Sequence, residues 1–472
     1  MALDTTFVAD MVEVSWDDDI VPALHDYIRI PNVSPAYDPG WAEAGHMDRA
    51  TEMVRAWLAA RPIEGLTVEV VQLEGRTPVI LAEVPGTDEE TDADTVLLYG
   101  HLDKQPPMEG WRDGLGPWEP VLDGDHLYGR GGADDGYAAF ACLTAIEAVR
   151  AAGGAHARCV VLIEASEESG SPDLPAYFDH LAPRLGTPSL VVCLDSSAPD
   201  DHRLWLTTSL RGMVQAHLRV DVLREGVHSG LYGGIVPSSF RLLRHLLDRV
   251  EDPATGEVVL AELASEVPAE RREQAAAAVA AGVDVRDDPP WVAGPVATDP
   301  VELVLANTWA ASLAVTGLGG APPPDAAGNV LLAHAEAALC VRLAPRTDPA
   351  AAVEALREAL TSDPPEGALV DLTVLGAEGG WDAPPTAPWL AAAVEEASQV
   401  AFGTPAGALG VGGTIPFMGM LGRRFPDAQF AITGVLVPGS NAHGPNEFLH
   451  VPTGKRVTTA VASLLHAHAS RS

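Results

Sequence analysis

The stretch TVLLYGHLD, residues 95–103, is a run of apolar and β-branched residues that stops on His101 and Asp103. A short, unbroken apolar run of this kind predicts a strand buried on both faces. The same grammar recurs on either side. TVEVVQL (67–73) and PVILAEV (78–84) precede it, and CVVLIEA (159–165) and LVVCLD (190–195) follow it. Between the later runs lie amphipathic segments such as 136–152, which ends on the helix-stopping pair Gly153–Gly154. Strand, helix and strand at this spacing predict an α/β fold with a mostly parallel sheet sandwiched by helices.

The pattern changes near Trp205. RGMVQAHLRVDVL (211–223) alternates like a half-exposed strand, an Ala-rich helical stretch spans 268–282, and LLAHAEAALCVRLAP (331–345) reads as another strand. Pro- and Gly-rich segments interrupt this portion at 287–295 and 319–328, and GAEGGWDAPPTAPW (376–389) reads as a return linker. WLAAAVEEASQVAF (389–402) then predicts a helix and AQFAITGVLV (428–437) a strand of the first kind. The expected organisation is one discontinuous α/β domain, 1–206 plus 376–472, around an inserted α+β domain, 207–375.

Composition narrows the function. Among 472 residues, 66 acids face 29 Lys and Arg, a net charge of −37. Such a surface repels phosphate backbones and anionic lipid, so neither a nucleic acid nor a membrane is the expected partner. No run approaches the ~18 apolar residues of a membrane span. The N-terminal twenty residues carry acids where a signal peptide carries Lys or Arg, so the expected location is cytoplasmic. Four cysteines stand far apart among apolar residues with no C-x-x-C pair, which reads as small buried hydrophobes rather than a disulfide or thiolate site.

The chemistry lies where polar residues follow the strands. His101 and Asp103 end one run, Glu167 and Glu168 follow a second, Asp195 ends a third, and His443 follows the last. In an open parallel sheet, ligands bind beyond the carboxyl ends of the strands. A Gly-rich loop, GRGGADD (129–135), adds Asp134. One histidine or carboxylate past a strand is usually a loop residue or a helix cap. Two histidines and several carboxylates brought to one rim form the nitrogen and oxygen donor set of a divalent metal site. The Gly-rich loop does not fit a dinucleotide, because Asp134 stands where the third glycine belongs and would repel pyrophosphate. Phosphate-loop, H-E-x-x-H and G-x-S-x-G motifs do not occur in the chain.

GHLD (100–103), LYGRGGADD (127–135), EASEESGS (164–171), Asp195, LRG (210–212), VHSGLYGG (227–234), VRLAP (341–345), GGTIP (412–416) and SNAHGPNE (440–447) follow one another in a familiar order. The chain resembles, over nearly its whole length, the di-zinc metallopeptidase family of carnosinase-type dipeptidases, aminoacylases, glutamate carboxypeptidases and succinyl-diaminopimelate desuccinylase. It is most similar to the dipeptidase branch. The resemblance implies a zinc-exopeptidase-like catalytic domain with an inserted lid and dimerisation domain. It also implies two divalent ions per subunit, zinc first, with manganese or cobalt as alternatives. His101 and Asp195 would hold one ion, Glu168 and His443 the other, and Asp134 would bridge them, since only a carboxylate can span ions about 3.5–4 Å apart.

By the same resemblance Glu167 is the general base for a metal-bridged water, and Asp103 is the carboxylate behind His101 that fixes its tautomer. His228 would stabilise the oxyanion, reaching across from the partner subunit of a homodimer. Arg342 would grip a substrate carboxylate, and Asn329, Gly413 and Thr414 would line the pocket. The other twelve histidines match no motif and read as surface or packing residues. The chain departs from the family pattern at Gly136–Tyr137, where relatives carry Lys-Gly, at Gly410–Val411, where dipeptidases often carry Arg-Glu, and at 329–332. None of these is an expected metal ligand. The expected activity is hydrolysis of dipeptides or short peptides with a free carboxyl end. Removal of the acyl group from an N-acyl or N-succinyl amino acid is the first alternative. A catalytically silent binding homologue is the second.

Overall fold

The computed structural model describes residues 3–287, 289, 291–294 and 298–471. Asp288, Pro290 and Pro295 of the Pro-rich interruption, and Met1 and Ala2 of the N-terminal stretch, lie outside them. Among the described residues the central sheet has six strands, in the order Thr67–Val71, Val79–Val84, Arg158–Glu164, Thr95–His101, Leu190–Cys193 and Gln429–Ile432. The last four run parallel to one another. Val79–Val84 is reversed and pairs antiparallel on both sides.

Alternate residues of each strand feed two cores. Val96, Leu98, Val161 and Ile163 face one side, where the helices Thr5–Ser15, Tyr137–Ala151 and Val451–Ala469 pack. Leu97, Tyr99, Val160 and Leu162 face the other, with Leu174–His180 and Pro416–Arg424. Tyr137–Ala151 lies between the sheet and other helices and is buried almost all round, which is why its apolar residues are not confined to one stripe.

The inserted portion carries a four-stranded antiparallel sheet, ordered Ser312–Gly319, His334–Leu343, Gly212–Asp221 and Leu369–Glu378. One face takes the helices Ser239–Leu247 and Pro349–Thr361 through Leu242, Leu246, Leu356 and Leu360. The other face is open, the arrangement that alternation along 212–221 predicts. Residues 207 and 375 fall inside the strands Trp205–Leu210 and Leu369–Glu378. Trp205–Leu210 pairs in parallel with Gly407–Val411, so the chain passes from one sheet system to the other at Arg211. The strand expected over 331–345 is split: Val330–Leu331 pairs with Val227–His228, and His334–Leu343 belongs to the four-stranded sheet. Cys142, Cys159 and Cys193 are buried free thiols, and Cys340 is half-buried. No helix among the described residues is long and apolar enough to cross a membrane.

Candidate metal centre

His101 is the last residue of its strand, and its side chain is wholly buried. Nδ1 meets the main-chain carbonyl of Asp103 at 3.1 Å, so the proton sits on Nδ1 and Nε2 is the free donor atom. Nε2 lies 3.3 Å from Asp134 Oδ1 and 3.8 Å from Asp195 Oδ2. Asp134 offers its other oxygen to a second imidazole: His443 Nε2 is 3.1 Å from Asp134 Oδ2 and 3.4 Å from Glu168 Oε2. Donor atoms of His101, Glu167 and Asp195 lie within 4.8 Å of one another, and so do those of His101, Asp134 and Glu168. All five expected ligands and the expected base therefore meet at one rim.

The local backbone explains how. Gly131, at φ +79°, turns the loop where a Cβ would strike Lys104 Cε at 2.6 Å. Gly136 passes so close to Tyr27 that a Cβ would lie 2.2 Å from its ring. These two contacts set Asp134 between the histidines. His443 itself takes a left-handed φ of +65°, a conformation that costs on the order of 1 kcal/mol in a non-glycine residue. Its loop is held by Arg130, which donates Nη2 to Gly444 O at 2.8 Å and pairs through Nη1 with the buried carboxylate of Glu447.

The electrostatics ask for positive charge. His101 Nε2 is buried with no hydrogen-bond partner. Burial, and then the neighbouring Asp134 carboxylate, push Glu168 up to about 8; burial likewise pushes Asp195 up to about 6 and Glu167 well above the carboxylate range. Burial also raises Asp134, but the two imidazoles beside it outweigh that and hold it below the usual range. Burial lowers His443, but Asp134 and Glu168 outweigh it and raise the imidazole to about 9. Four carboxylates gathered out of water are unfavourable unless cations compensate them. An orphaned imidazole nitrogen among carboxylate oxygens is the donor set that borderline divalent ions accept, so the residues present fit the metal pair.

Behind the candidate ligands Asp103 stands where expected and makes further contacts. The Asp103 carboxylate stands 3.5 Å from His101 Nδ1. Its two oxygens also accept the N–H groups of Glu167 and Glu168, at 3.1 and 3.0 Å. The carbonyl of Asp103 orients the imidazole while its side chain holds the turn that carries the paired glutamates. Sequence reasoning missed three more contributors. Gln105 Nε2 donates to Glu168 Oε2 at 2.6 Å, Asp135 Oδ2 accepts the His101 N–H at 3.3 Å, and Glu447 Oε1 accepts the Gly131 N–H at 2.8 Å. Asp135 and Glu447 stand inside the quoted motifs; nothing local to Gln105 marks it.

Of the residues expected to meet substrate, Arg342 Nη1 donates to Thr414 Oγ1 at 2.9 Å, and Gly413 O accepts the Arg211 N–H at 3.1 Å. A cavity of about 650 Å³ reaches from Ser197, near Asp195, to Gly412 and to Ala442, beside His443. His228 and Asn329 meet elsewhere, on the exposed ribbon where the Ser229 N–H donates to Asn329 O at 2.9 Å. Among the described residues no hydrogen bond or ion pair joins His228 to the metal-ligand group. A search of protein families matches the model described as peptidase family M20/M25/M40 to residues 97–467, a span that contains every group from His101 to His443.

The chain belongs to this peptidase family. Members of the family are metal-dependent, and the site just described fits that chemistry, so the chain is a metallopeptidase. A cysteinylglycine-S-conjugate dipeptidase of Corynebacterium striatum is 30% identical over 385 residues, covering 79% of this chain and 81% of that protein. Human carnosine dipeptidase 1 superposes with a TM-score of 0.78 at 22% identity, covering 99% of each chain. The dipeptidase Dug1p of Saccharomyces cerevisiae gives 0.78 at 19%, over 100% of each. At those identities the two structures speak for the fold alone, a catalytic α/β body with an inserted α+β body.

Proposed function

We propose that this M20/M25/M40 peptidase hydrolyses dipeptides or short peptides with a free C-terminal carboxylate. The observation that carries the reading is Asp134 set between two imidazoles, with Glu167, Glu168 and Asp195 around it. The likeness, over 79% of the chain, to a bacterial cysteinylglycine-S-conjugate dipeptidase supports the substrate class. In this reading His101 and Asp195 would hold one divalent ion and Glu168 and His443 the second, with Asp134 shared between them; zinc is proposed first, with manganese and cobalt as alternatives. The chemistry that bound ions supply is polarisation of the amide carbonyl and acidification of water.

The chain's own groups do the rest. Glu167 takes a proton from the attacking water as the new C–O bond forms. It delivers that proton to the amide nitrogen as the C–N bond breaks, leaving a carboxylic acid and an amine, which the acid's remaining proton converts to carboxylate and ammonium. Arg342 pairs with the substrate's terminal carboxylate, Thr414 and Gly413 shape that end of the pocket, and Asn329, beside His228 on the exposed ribbon, would join a pocket only together with His228 across the proposed homodimer. His228 Nδ1 accepts the Gly230 N–H at 3.1 Å, which leaves the ring proton on Nε2, available to the oxyanion of a substrate. The ribbon around it exposes Leu231 (70%), Ile235 (77%) and Val330 (50%). That apolar surface supports a homodimer in which the partner subunit receives His228. We also propose that the lid body runs from Arg211 to about Gly379, and that the enzyme is cytoplasmic.

The test is a matched panel, Ala-Leu and a β-alanyl dipeptide against N-acetyl and N-succinyl amino acids, after zinc or manganese loading and with a chelator control. Chelator-sensitive cleavage of the dipeptides is expected. Turnover of the acylated amino acids alone would overturn the dipeptidase reading in favour of a deacylase on the same site.

A further inference from the structure

Arg211 occupies the junction between the strands Trp205–Leu210 and Gly212–Asp221, and it is buried to 8% exposure. Its guanidinium donates Nε to Gly412 O at 3.0 Å and Nη1 to Ala310 O at 3.1 Å and to Ser312 Oγ at 3.3 Å. Its main chain closes the same turn, donating N–H to Gly413 O at 3.1 Å and accepting the Thr414 hydroxyl at 2.6 Å. That bond uses the only hydroxyl proton of Thr414, so its oxygen is left to accept Arg342 Nη1. Arg211 and Arg342 are thereby two ends of one hydrogen-bonded chain.

Every acceptor recorded for Arg211 is a neutral oxygen. Among the described residues neither Arg211 nor Arg342 forms an ion pair. A buried guanidinium without a counter-ion is unfavourable on its own, and burial followed by the charge of Arg342 lowers Arg211 to about 10. The Gly412 position is fitted to it: a Cβ there would stand 3.1 Å from Arg211 Nη2 and 2.7 Å from Asn307 O. Gly412 also lines the 650 Å³ cavity. Two uncompensated cations behind one turn describe a place where the missing anion is brought by the ligand.

We propose that Arg211 is the positioning residue for carboxylate recognition. It holds the Gly412–Thr414 turn, and through Thr414 the guanidinium of Arg342, and it adds a second positive charge to that end of the cavity. The site therefore selects substrates that end in a carboxylate over their amides. This rests on the peptidase reading for its substrate but not for its binding test.

R211Q and R211K are compared with wild type on Ala-Leu and on Ala-Leu amide. The expected result is a fall of about tenfold or more in the acid-to-amide ratio of kcat/KM for R211Q, expressed in KM, with R211K between. A residue that only supported the fold would lower both substrates by one factor, and an unchanged ratio would overturn the proposal. If R211Q does not fold, a ratio lowered threefold or more in R211K supports the proposal and an unchanged one overturns it. Calorimetric binding of leucine and leucinamide to the metal-loaded protein reads the same preference without turnover. If wild type binds leucine better, R211Q does not, and no dipeptide is cleaved, the positioning role stands and the dipeptidase reading fails.

Discussion

Replacing Asp103 by Asn tests whether the turn that carries Glu167 and Glu168 is held by its carboxylate. Asp103 is fully buried and accepts the Glu167 and Glu168 N–H groups through different oxygens. In D103N one oxygen becomes an NH2 group that faces an N–H donor. One hydrogen bond to a charged acceptor is lost, worth about 1.5–3 kcal/mol, and the survivor loses its charge assistance. At 1.36 kcal/mol per tenfold, the loss corresponds to a factor of about 10 to 150, shared between metal affinity and kcat/KM. The main-chain carbonyl that orients His101 is untouched, so the effect concentrates on the glutamates. The assay is kcat/KM at saturating metal together with a competitive metal titration, with circular dichroism and thermal melting to show that the fold persists. A folded D103N within threefold of wild type in both quantities would refute the reasoning.

Glu167→Gln is expected to retain its metal content, measured by atomic emission, and to lose about 10²–10⁴ in kcat, the range for a general base; retention of activity would remove Glu167 from that role. Stripping metal with a chelator is expected to abolish hydrolysis and lower the melting temperature. At free metal 100-fold above Kd, each ion contributes about 2.7 kcal/mol of stability, and an unchanged melt would refute the charge argument for the site. His156 gives a pH dependence remote from the metal centre. It is fully buried, its Nδ1 bonds Ala157 O at 2.7 Å, and its Nε2 accepts Arg150 Nε at 2.8 Å. Burial first lowers it from 6.5 to about 4. The neutral ring's contribution is complete above pH 6.5 and is lost as the pH falls toward 4, because the unfolded chain binds the extra proton. The loss reaches about 2 kcal/mol at pH 5, and urea unfolding between pH 7 and 5 should show a shallower slope in H156Q.

The two cores were legible because apolar runs such as 95–100 and 159–163 are too continuous for a half-exposed strand and too short for a buried helix. That the strand-end histidines and carboxylates meet was legible for the same reason: a polar residue that stops such a run stands on the rim. Strand direction was not. Val79–Val84 is reversed, yet a strand buried on both faces has the same composition in either direction. The role of Asp103 divided between its carbonyl and its carboxylate, a distinction of backbone geometry that residue identity does not carry. Gln105 was invisible because its partner, Glu168, lies 63 residues away. Arg211 sat inside the quoted LRG motif, but its meaning depends on a turn two hundred residues later.

The distribution of the proposed ligands along the chain carries a consequence for assembly. His101, Asp134, Glu167, Glu168 and Asp195 all precede the inserted portion, and His443 alone comes from the returning segment. The loop that presents Asp134 and the loop that presents His443 are fastened by one buried device. Arg130 reaches from the first to Gly444 O and to the Glu447 carboxylate, and Glu447 reaches back to the Gly131 N–H. Breaking a buried pair by removing one partner leaves the other charge uncompensated and costs about 3–5 kcal/mol. The pairing of Gln429–Ile432 with Leu190–Cys193 secures the returning segment to the sheet independently of that device. Losing the clasp in R130Q is therefore expected to free the His443 loop without unfolding the body, and in the proposed ligand set the ion that His443 would hold would be lost before the one that His101 and Asp195 would hold, which a metal titration of the variant reads. In the proposed ligand set the discontinuous fold would thus couple completion of the second metal position to closure of the chain.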